Sequence, residues 1–595
     1  VYTLAPRADK DTEKLVGKLT RKFKVGAFLY SEGTVEDQAN LTNYAQRQSK
    51  IPLMITFDGE WGLAMRLENT PVFPRNAALG CISDNTLIEA YGQEVARELR
   101  EIGAHVNFAP DADVNTNPEN PVIHVRSFGE NPKTVAEKVI AYGRGLETGG
   151  ILSVSKHFPG HGDTDVDSHK ALPVLPFTRE RLDSVELYPF KEAIRAGVSG
   201  MMVGHLQVPV IEPIGDLPSS LSRNVVYGLL TEELAFKGLI FTDALAMKGV
   251  AGNKSVCLQA LQAGNDMVLA PRRLKEEMDA VLEAVEKGEL PEEEINAKCR
   301  KVLTYKYILG LERKPFVKLS GLGTRINTPQ TRDLISRLNL AAITVLNNKN
   351  DVLPLHPDLK EAAILNVGKP EEIEPFDRKM KKYTSFARFQ LRKDLPEAEQ
   401  QKLRDSLAAY RRVIVTVTEQ RLAPYQSFFA KFAPESPVIY VFYTPAKSML
   451  QIQRAVSAAE AVVLAHASRD DVQERVADLL FGKATADGRL SASIGGLFPT
   501  GSGVTITPHT PFHFVPEEYG MKSEVLRRID TIALEGIKEG AYPGCQVLVM
   551  KDGKALYDRC FGYHTDANSE KVKPTDIYDL ASLSTVSYTH LTLPT

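Results

Sequence analysis

At 595 residues, with 43% hydrophobic and 25% charged side chains, the chain has the balance of a folded globular protein and exceeds what one hydrophobic core organises, so two or three domains are expected. Its 72 basic against 75 acidic residues, a formal net charge of -3, exclude recruitment of nucleic acid or an anionic membrane by bulk charge. The five cysteines stand far apart, without C-x-x-C spacing or clustered histidines, and point to neither a disulfide framework nor a zinc site.

Strand-length apolar runs recur through the first half, at 1–4, 25–30, 52–57, 105–108, 152–157, 200–205, 239–242 and 267–269. Segments with helical periodicity lie between them, among them 85–102, 132–148, 178–196 and 224–235. Eight near-continuously apolar strands, each followed by a helix, predict a parallel (β/α)8 TIM barrel. The helix 291–309 closes this unit, and 312–328, rich in Lys, Gly and Pro, reads as a linker. Alternation resumes at 341–347, 362–367, 412–418, 438–443 and 461–465, which predicts a smaller open α/β sheet. A third unit follows 498–511, with a helix over 524–539 and a hairpin signalled by Lys551-Asp-Gly-Lys554. The expected domains are thus 1–315, 335–500 and 515–595. No apolar run approaches the roughly 20 residues of a membrane span. The chain starts at Val1 and is expected to be a fragment at its amino end; the tail 586–595 follows neither helical nor strand logic.

Barrel chemistry sits at the carboxyl ends of the strands, and polar residues stand there with regularity: Asp58, Asp111, Lys156 and His157, His205 and Asp243. They are expected to share one pocket. The densest cluster is Lys156-His-Phe-Pro-Gly-His-Gly-Asp-Thr-Asp-Val-Asp-Ser-His169. Its proline and glycines place 163–169 on a loop. His169 titrates near neutrality, and Asp167 two residues earlier can fix its tautomer and stabilise the imidazolium, which suffices for general acid/base catalysis. A lone loop histidine is more often merely solvated, and Lys156 and His157 could simply face water at a strand end. In Gly238-Leu-Ile-Phe-Thr-Asp243 an apolar strand delivers a carboxylate to the rim, though Asp after a strand is also a common helix cap. A nucleophilic carboxylate and a proton donor about 5 to 5.5 Å apart are the parts of a retaining glycosidase; here the donor would be a histidine.

Together these clusters resemble family 3 glycoside hydrolases, in particular the β-N-acetylglucosaminidase branch marked by K-H-F-P-G-H-G-D-T followed by D-S-H. The resemblance extends to Thr56-Phe-Asp-Gly-Glu-Trp-Gly-Leu-Ala-Met-Arg66, Asn107-Phe-Ala-Pro-Asp-Ala-Asp-Val-Asn115, Asn120-Pro-Val-Ile-His-Val-Arg-Ser-Phe-Gly-Glu130 and Gly264-Asn-Asp-Met-Val-Leu269, nearly all of 20–310. It implies that Asp243 is the nucleophile, that His169 is the acid/base assisted by Asp167, and that Asp58, Arg126, Lys156 and His157 hold the terminal sugar. Arg66 and His205 are weaker candidates for the same pocket, with a salt bridge and a satisfied strand-end histidine as their ordinary alternatives.

The resemblance further implies removal of terminal N-acetylglucosamine from peptidoglycan fragments or chitooligosaccharides with retention, without metal or organic cofactor, in an exported or periplasmic bacterial protein. No nucleic-acid partner is expected. A phosphorylase or β-glucosidase using the same barrel is the neighbouring alternative, and a barrel that binds sugar without cleaving it is another. Residues 335–500 resemble the α/β sandwich that follows many such barrels, and 520–582 resemble the start of a serine β-lactamase or penicillin-binding protein, an α+β unit. That family's S-x-x-K is broken here, since Thr585 stands where Lys belongs after Ser582. Truncation with a foreign or frameshifted tail is therefore expected, and with it an inactive segment. A serine hydrolase carrying a sugar-binding barrel is the rival from another class.

Overall fold

The computed structural model describes all residues except 6, 8, 169, 251–254, 314–315, 357–358, 360, 434–436, 509–515 and 580–595. The first unit is an eight-stranded parallel sheet in sequential order: β1 (Tyr2–Leu4), β2 (Ala27–Tyr30), β3 (Met54–Phe57), β4 (Val106–Asn107), β5 (Leu152–Phe158), β6 (Gly200–Val203), β7 (Leu239–Ala244) and β8 (Met267–Leu269). Two hydrogen bonds bring its ends together, from Val1 N to Val268 O (2.8 Å) and from Ala270 N to Val1 O (2.9 Å), so the sheet is a nearly closed barrel. Every residue of β3, β5 and β6 is buried, because helices cover one face of each strand and the barrel interior the other; that is why these strands read as unbroken apolar runs.

Two of the covering helices begin where a short polar side chain takes over an unpaired backbone N–H. Asp84 accepts from Thr86 N (2.9 Å) before Asn85–Glu101, and Asn131 accepts from Lys133 N and Thr134 N (3.0 and 3.2 Å) before Pro132–Thr148. These two helices lie unusually close. A Cβ on Gly92 would stand 2.4 Å from Tyr142 O, and one on Gly145 2.2 Å from Glu89 O, so only glycine permits the contact, which Tyr91 and Tyr142 complete by stacking at 4.7 Å. Two segments expected as plain α-helices contain π-helical turns instead, Leu182–Glu186 and Asn224–Glu233.

The stretch expected as a linker is laid along the barrel. Val317 exchanges two hydrogen bonds with the Asn43 side chain (2.7 and 2.8 Å), Leu322 and Ile326 are buried, and Arg97 donates to Ile326 O (3.1 Å). Its lysines and glycines kept the apolar anchors from showing as a pattern. The barrel's core also takes in Leu334, Ile335 and Leu338 from the helix Pro329–Ala341.

The second unit is an open six-stranded sheet of β9 (Thr344–Asn348), β10 (Ala362–Val367), β11 (Phe386–Leu391), β12 (Arg412–Val417), β13 (Val438–Phe442) and β14 (Ala461–Leu464), in the order β11-β10-β12-β13-β14-β9, all neighbours parallel except β14 and β9. Separate apolar cores lie on its two faces, one including Phe428 and Leu407, the other Phe376 and Val476, which makes it an α/β sandwich. In the third unit the helices Ser523–Leu526 and Arg528–Lys538 pack beside a hairpin of β15 (Gly544–Lys551) and β16 (Lys554–Gly562). Asp552 and Gly553 both take positive φ (51° and 74°), the two left-handed residues that a two-residue hairpin turn requires. Ser582 and Thr585 lie outside the described residues. No described helix is long and apolar enough to cross a membrane.

Candidate active site

Asp58 directly follows β3, and Gly59 N–H is fixed by the Asn107 side chain (2.9 Å) as the chain leaves the barrel. Lys156, inside buried β5, reaches across to Asp58 Oδ1 (2.6 Å) and Glu60 Oε1 (2.8 Å). Arg126, at the end of the turn His124–Arg126, binds Glu60 (2.6 Å) and stands 3.9 Å from Asp111. Arg66 pairs with the other oxygen of Asp58. His157 Nδ1 donates to Asp113 Oδ2 (2.7 Å), and its Nε2 lies 3.3 Å from Arg126 Nη2.

Five of the predicted sugar-holding residues, Asp58, Arg66, Arg126, Lys156 and His157, therefore form one network at the carboxyl ends of the strands. For Arg66 the salt bridge foreseen as the ordinary alternative is present, and its side chain keeps 30% exposure toward the opening.

The electrostatics of this floor follow from its burial. Removal from water works to raise the Asp58 carboxyl, but Lys156 and Arg66 overcome it and hold it well below the usual carboxylate range. Glu60 is likewise held down by Arg126 and Lys156 against its burial. Burial would discharge Lys156; the charges on Asp58 and Glu60 keep it protonated. Asp113 is held at about 2, burial opposing and His157 together with hydrogen bonds from His157 and His161 prevailing. Asp111 goes the other way: burial and the charge of Asp113 push it well above its ordinary value despite Arg126.

Asp111, Asp113 and His157 offer ligand atoms that all lie within 4.8 Å of one another, a grouping that the sequence reading did not foresee. The His157 Nδ1 proton is committed to Asp113, and Arg126 already supplies a positive charge 3.9 Å from Asp111, so a cation would have to break one contact and repel the other.

Asp243 is the second-last residue of β7, half-buried at the rim. Burial works to raise it, but the nearby charges of His205 and His157, the Ala244 N–H and Lys156 hold it below its ordinary value, so it is ionised at neutral pH. For His205 the satisfied strand-end histidine given as its ordinary alternative is present: it is fully buried, its Nε2 donates to Ala244 O (3.0 Å), and its Nδ1 meets Ser220 Oγ (2.7 Å). These contacts anchor the ring beside the end of β7. Asp167 sits on the loop after β5, its carboxylate 3.7 Å from Lys170 Nζ and its carbonyl accepting from Lys170 N and Ala171 N (2.8 and 3.0 Å). His169 lies outside the described residues. Its neighbour Ser168 accepts at its carbonyl from Gly249 N (3.3 Å), just beyond Asp243 in the chain, which puts this part of the loop beside the end of β7.

Sequence reasoning missed Glu60 and Asp113 as parts of the network. The signal was available, because each stands two residues after a carboxylate already singled out, Asp58 and Asp111, and a period of two returns an extended chain to the same face.

A sequential eight-stranded barrel with this ionic pocket at its strand ends defines the class of fold and site, and comparison with known proteins gives the family. Residues 8–305 match the model of the glycosyl hydrolase family 3 N-terminal domain. The chain is 34% identical to beta-hexosaminidase A of Pseudoalteromonas piscicida over 56% of its own length and 60% of that protein's. It is 33% identical to beta-hexosaminidase LpqI of Mycobacterium tuberculosis over 43% of its length and 68% of that protein's. A solved family 3 beta-N-acetylglucosaminidase from Paenibacillus superposes with a TM-score of 0.66 at 29% identity, covering 83% of this chain and 97% of that one. The chain belongs to glycoside hydrolase family 3. It spans about three fifths of the length of the Pseudoalteromonas relative.

Proposed function

We propose that the chain hydrolyses terminal β-linked N-acetylglucosamine with retention of configuration. Asp243 attacks the anomeric carbon, and His169, assisted by Asp167, protonates the leaving oxygen and then deprotonates the incoming water. The observation that carries this reading is the position of the Asp243 carboxylate at the end of β7, beside a floor where Asp58, Lys156, Arg126 and His157 offer fixed donors and acceptors to a small polar ring. The beta-hexosaminidase and beta-N-acetylglucosaminidase relatives support the choice of amino sugar. Peptidoglycan fragments or chitooligosaccharides are the proposed substrates, and an exported or periplasmic location belongs to the same reading.

The test is an assay of the purified chain on paired aryl β-glucosides and β-N-acetylglucosaminides, with and without phosphate. The amino sugar is expected to be preferred and phosphate to leave both rate and product unchanged; a sugar phosphate as product would make the chain a phosphorylase. Asp243→Ala is expected to abolish chromophore release by removing the nucleophile. The third unit is assigned no chemistry, on the ground of Thr585 in place of lysine, and labelling of the chain by a fluorescent penicillin would overturn that.

A further inference from the structure

His161 is buried beneath the loop that follows β5, and it is held from three sides. Its backbone N–H donates to Asp113 Oδ1 (2.7 Å), its carbonyl accepts from Asn120 Nδ2 (2.8 Å), and its ring is gripped at both nitrogens: Nδ1 meets Thr164 Oγ1 at 2.7 Å and Nε2 meets Ser168 Oγ at 3.0 Å.

The proton positions follow from the partners. The Thr164 hydroxyl gives its one proton to the carbonyl of His161 (3.1 Å), so its oxygen accepts from Nδ1–H, and Nε2 is left to accept the hydroxyl proton of Ser168. That arrangement needs a neutral ring, and burial, which pushes the imidazole down to about 4, keeps it neutral. Ser168 is itself only 2% exposed and is fastened a second time, its carbonyl accepting from Gly249 N beyond β7. It stands between Asp167 and His169 in the chain.

We infer that His161 is a positioning residue for proton transfer: through its Nε2–Ser168 hydrogen bond it latches the loop segment that carries the Asp167/His169 pair, and through its N–H to Asp113 it ties that latch to His157 in the sugar-binding floor. This rests on the assignment of Asp167 and His169 to proton transfer. Among the described residues, the Asp113 carboxylate bridges the two halves, one oxygen on the His161 backbone and the other on the His157 ring. A latch of this kind leaves the nucleophile untouched and affects the proton transfers, of which the first, to the leaving oxygen, is needed only by poor leaving groups.

The measurement is kcat/KM, which reports formation of the glycosyl-enzyme, over a series of N-acetylglucosaminides running from the dinitrophenyl leaving group, which departs without protonation, to unactivated chitobiose. Ser168→Ala is expected to lose on the order of 10- to 100-fold on chitobiose and less than about three-fold on the dinitrophenyl substrate, with a steeper dependence on leaving-group pKa. His161→Gln is expected to steepen the same plot, and the double variant to fall no further than the worse single one, because both changes break one contact. Equal losses across the series, an unchanged slope, or losses that multiply in the double variant would overturn the latch. Asp243→Ala, run alongside, must lose both kinds of substrate: survival of dinitrophenyl release there is a failure of the glycosidase reading, whereas a dead Asp243→Ala with an unchanged slope in Ser168→Ala is a failure of the latch alone.

Discussion

Lys156 holds Asp58 and Glu60 at once, and Arg126 holds Glu60 while facing Asp111, so the pocket's three cations, Arg66, Lys156 and Arg126, share the carboxylates Asp58 and Glu60, while Asp113 is paired with His157. Held in this way, the donors and acceptors of the floor keep fixed directions, which suits the small polar ring proposed to sit on it. Glu98, by contrast, has no ion pair among the described residues. It is fully buried near Gly62, and burial, with the charge of Glu94 added and Arg97 opposing, raises its carboxyl well above the ordinary 4.5. A raised folded value means that Glu98 favours folding fully below 4.5 and that this contribution is lost as pH rises toward the folded value. Glu98→Gln is therefore expected to raise the melting temperature by about 2–4 °C at pH 8 and to change it little at pH 4, as read by thermal unfolding at the two pH values. An equal shift at both would show that the carboxyl is ionised in the folded chain.

At the scale of elements, β5 and its loop do most to build the site: the strand supplies Lys156 and His157, and the loop turns sharply at Gly160 and Gly162. A Cβ at Gly162 would stand 1.8 Å from Val114 O, so the loop lies directly on the backbone that follows Asp113. Gly162→Ala is expected to cost about 2 kcal/mol or more in denaturant unfolding and to reduce activity, because the displaced strip carries both Asp113 and the His161 contacts. This loop also shows where sequence reading stops. Its composition announces chemistry, but the partners of His161, namely Thr164, Ser168 and Asp113, are ordinary polar residues whose pairing exists only after folding. The barrel strands were legible because burial on both faces leaves an unbroken apolar run, whereas β11 was not: it is an edge strand in which Arg388 and Gln390 interrupt the apolar pattern. His205 was legible as a strand-end histidine, but its engagement by Ala244 and Ser220 is a tertiary fact.

Across the whole molecule, the second unit reaches the barrel close to Arg126, the arginine proposed to bind the sugar. Ser491 Oγ donates to Ala77 O (2.7 Å), Arg489 N to Cys81 O (2.8 Å), and Glu130 accepts from Ser493 Oγ (2.9 Å) and from Thr500. The short helix Asn76–Leu79 that takes the Ser491 contact also holds Arg126 through Asn76, which donates to its carbonyl (2.5 Å). Glu130→Ala, four residues past Arg126, is expected to raise KM about five-fold or more with little change in kcat, since it loosens the segment that places a binding group and leaves Asp243 alone. A fall in kcat at constant KM would instead tie the second unit to the chemical step. Such contacts between units were beyond sequence reading, which showed in 335–500 only the alternation of an α/β sheet. The packed segment 316–328 shows the same limit, because its anchors Val317, Leu322 and Ile326 are spaced by what the barrel offers and not by an internal period.

The proposed mechanism requires Asp243 to become covalently bonded to the sugar, and this can be observed directly. The chain is incubated with a 5-fluoro N-acetylglucosaminyl fluoride, which forms the glycosyl-enzyme quickly and releases it slowly, and the labelled peptide is located by mass spectrometry. The predicted result is one sugar attached to Asp243; a label on another carboxylate, or turnover to a first product of inverted configuration with no label at all, would contradict it.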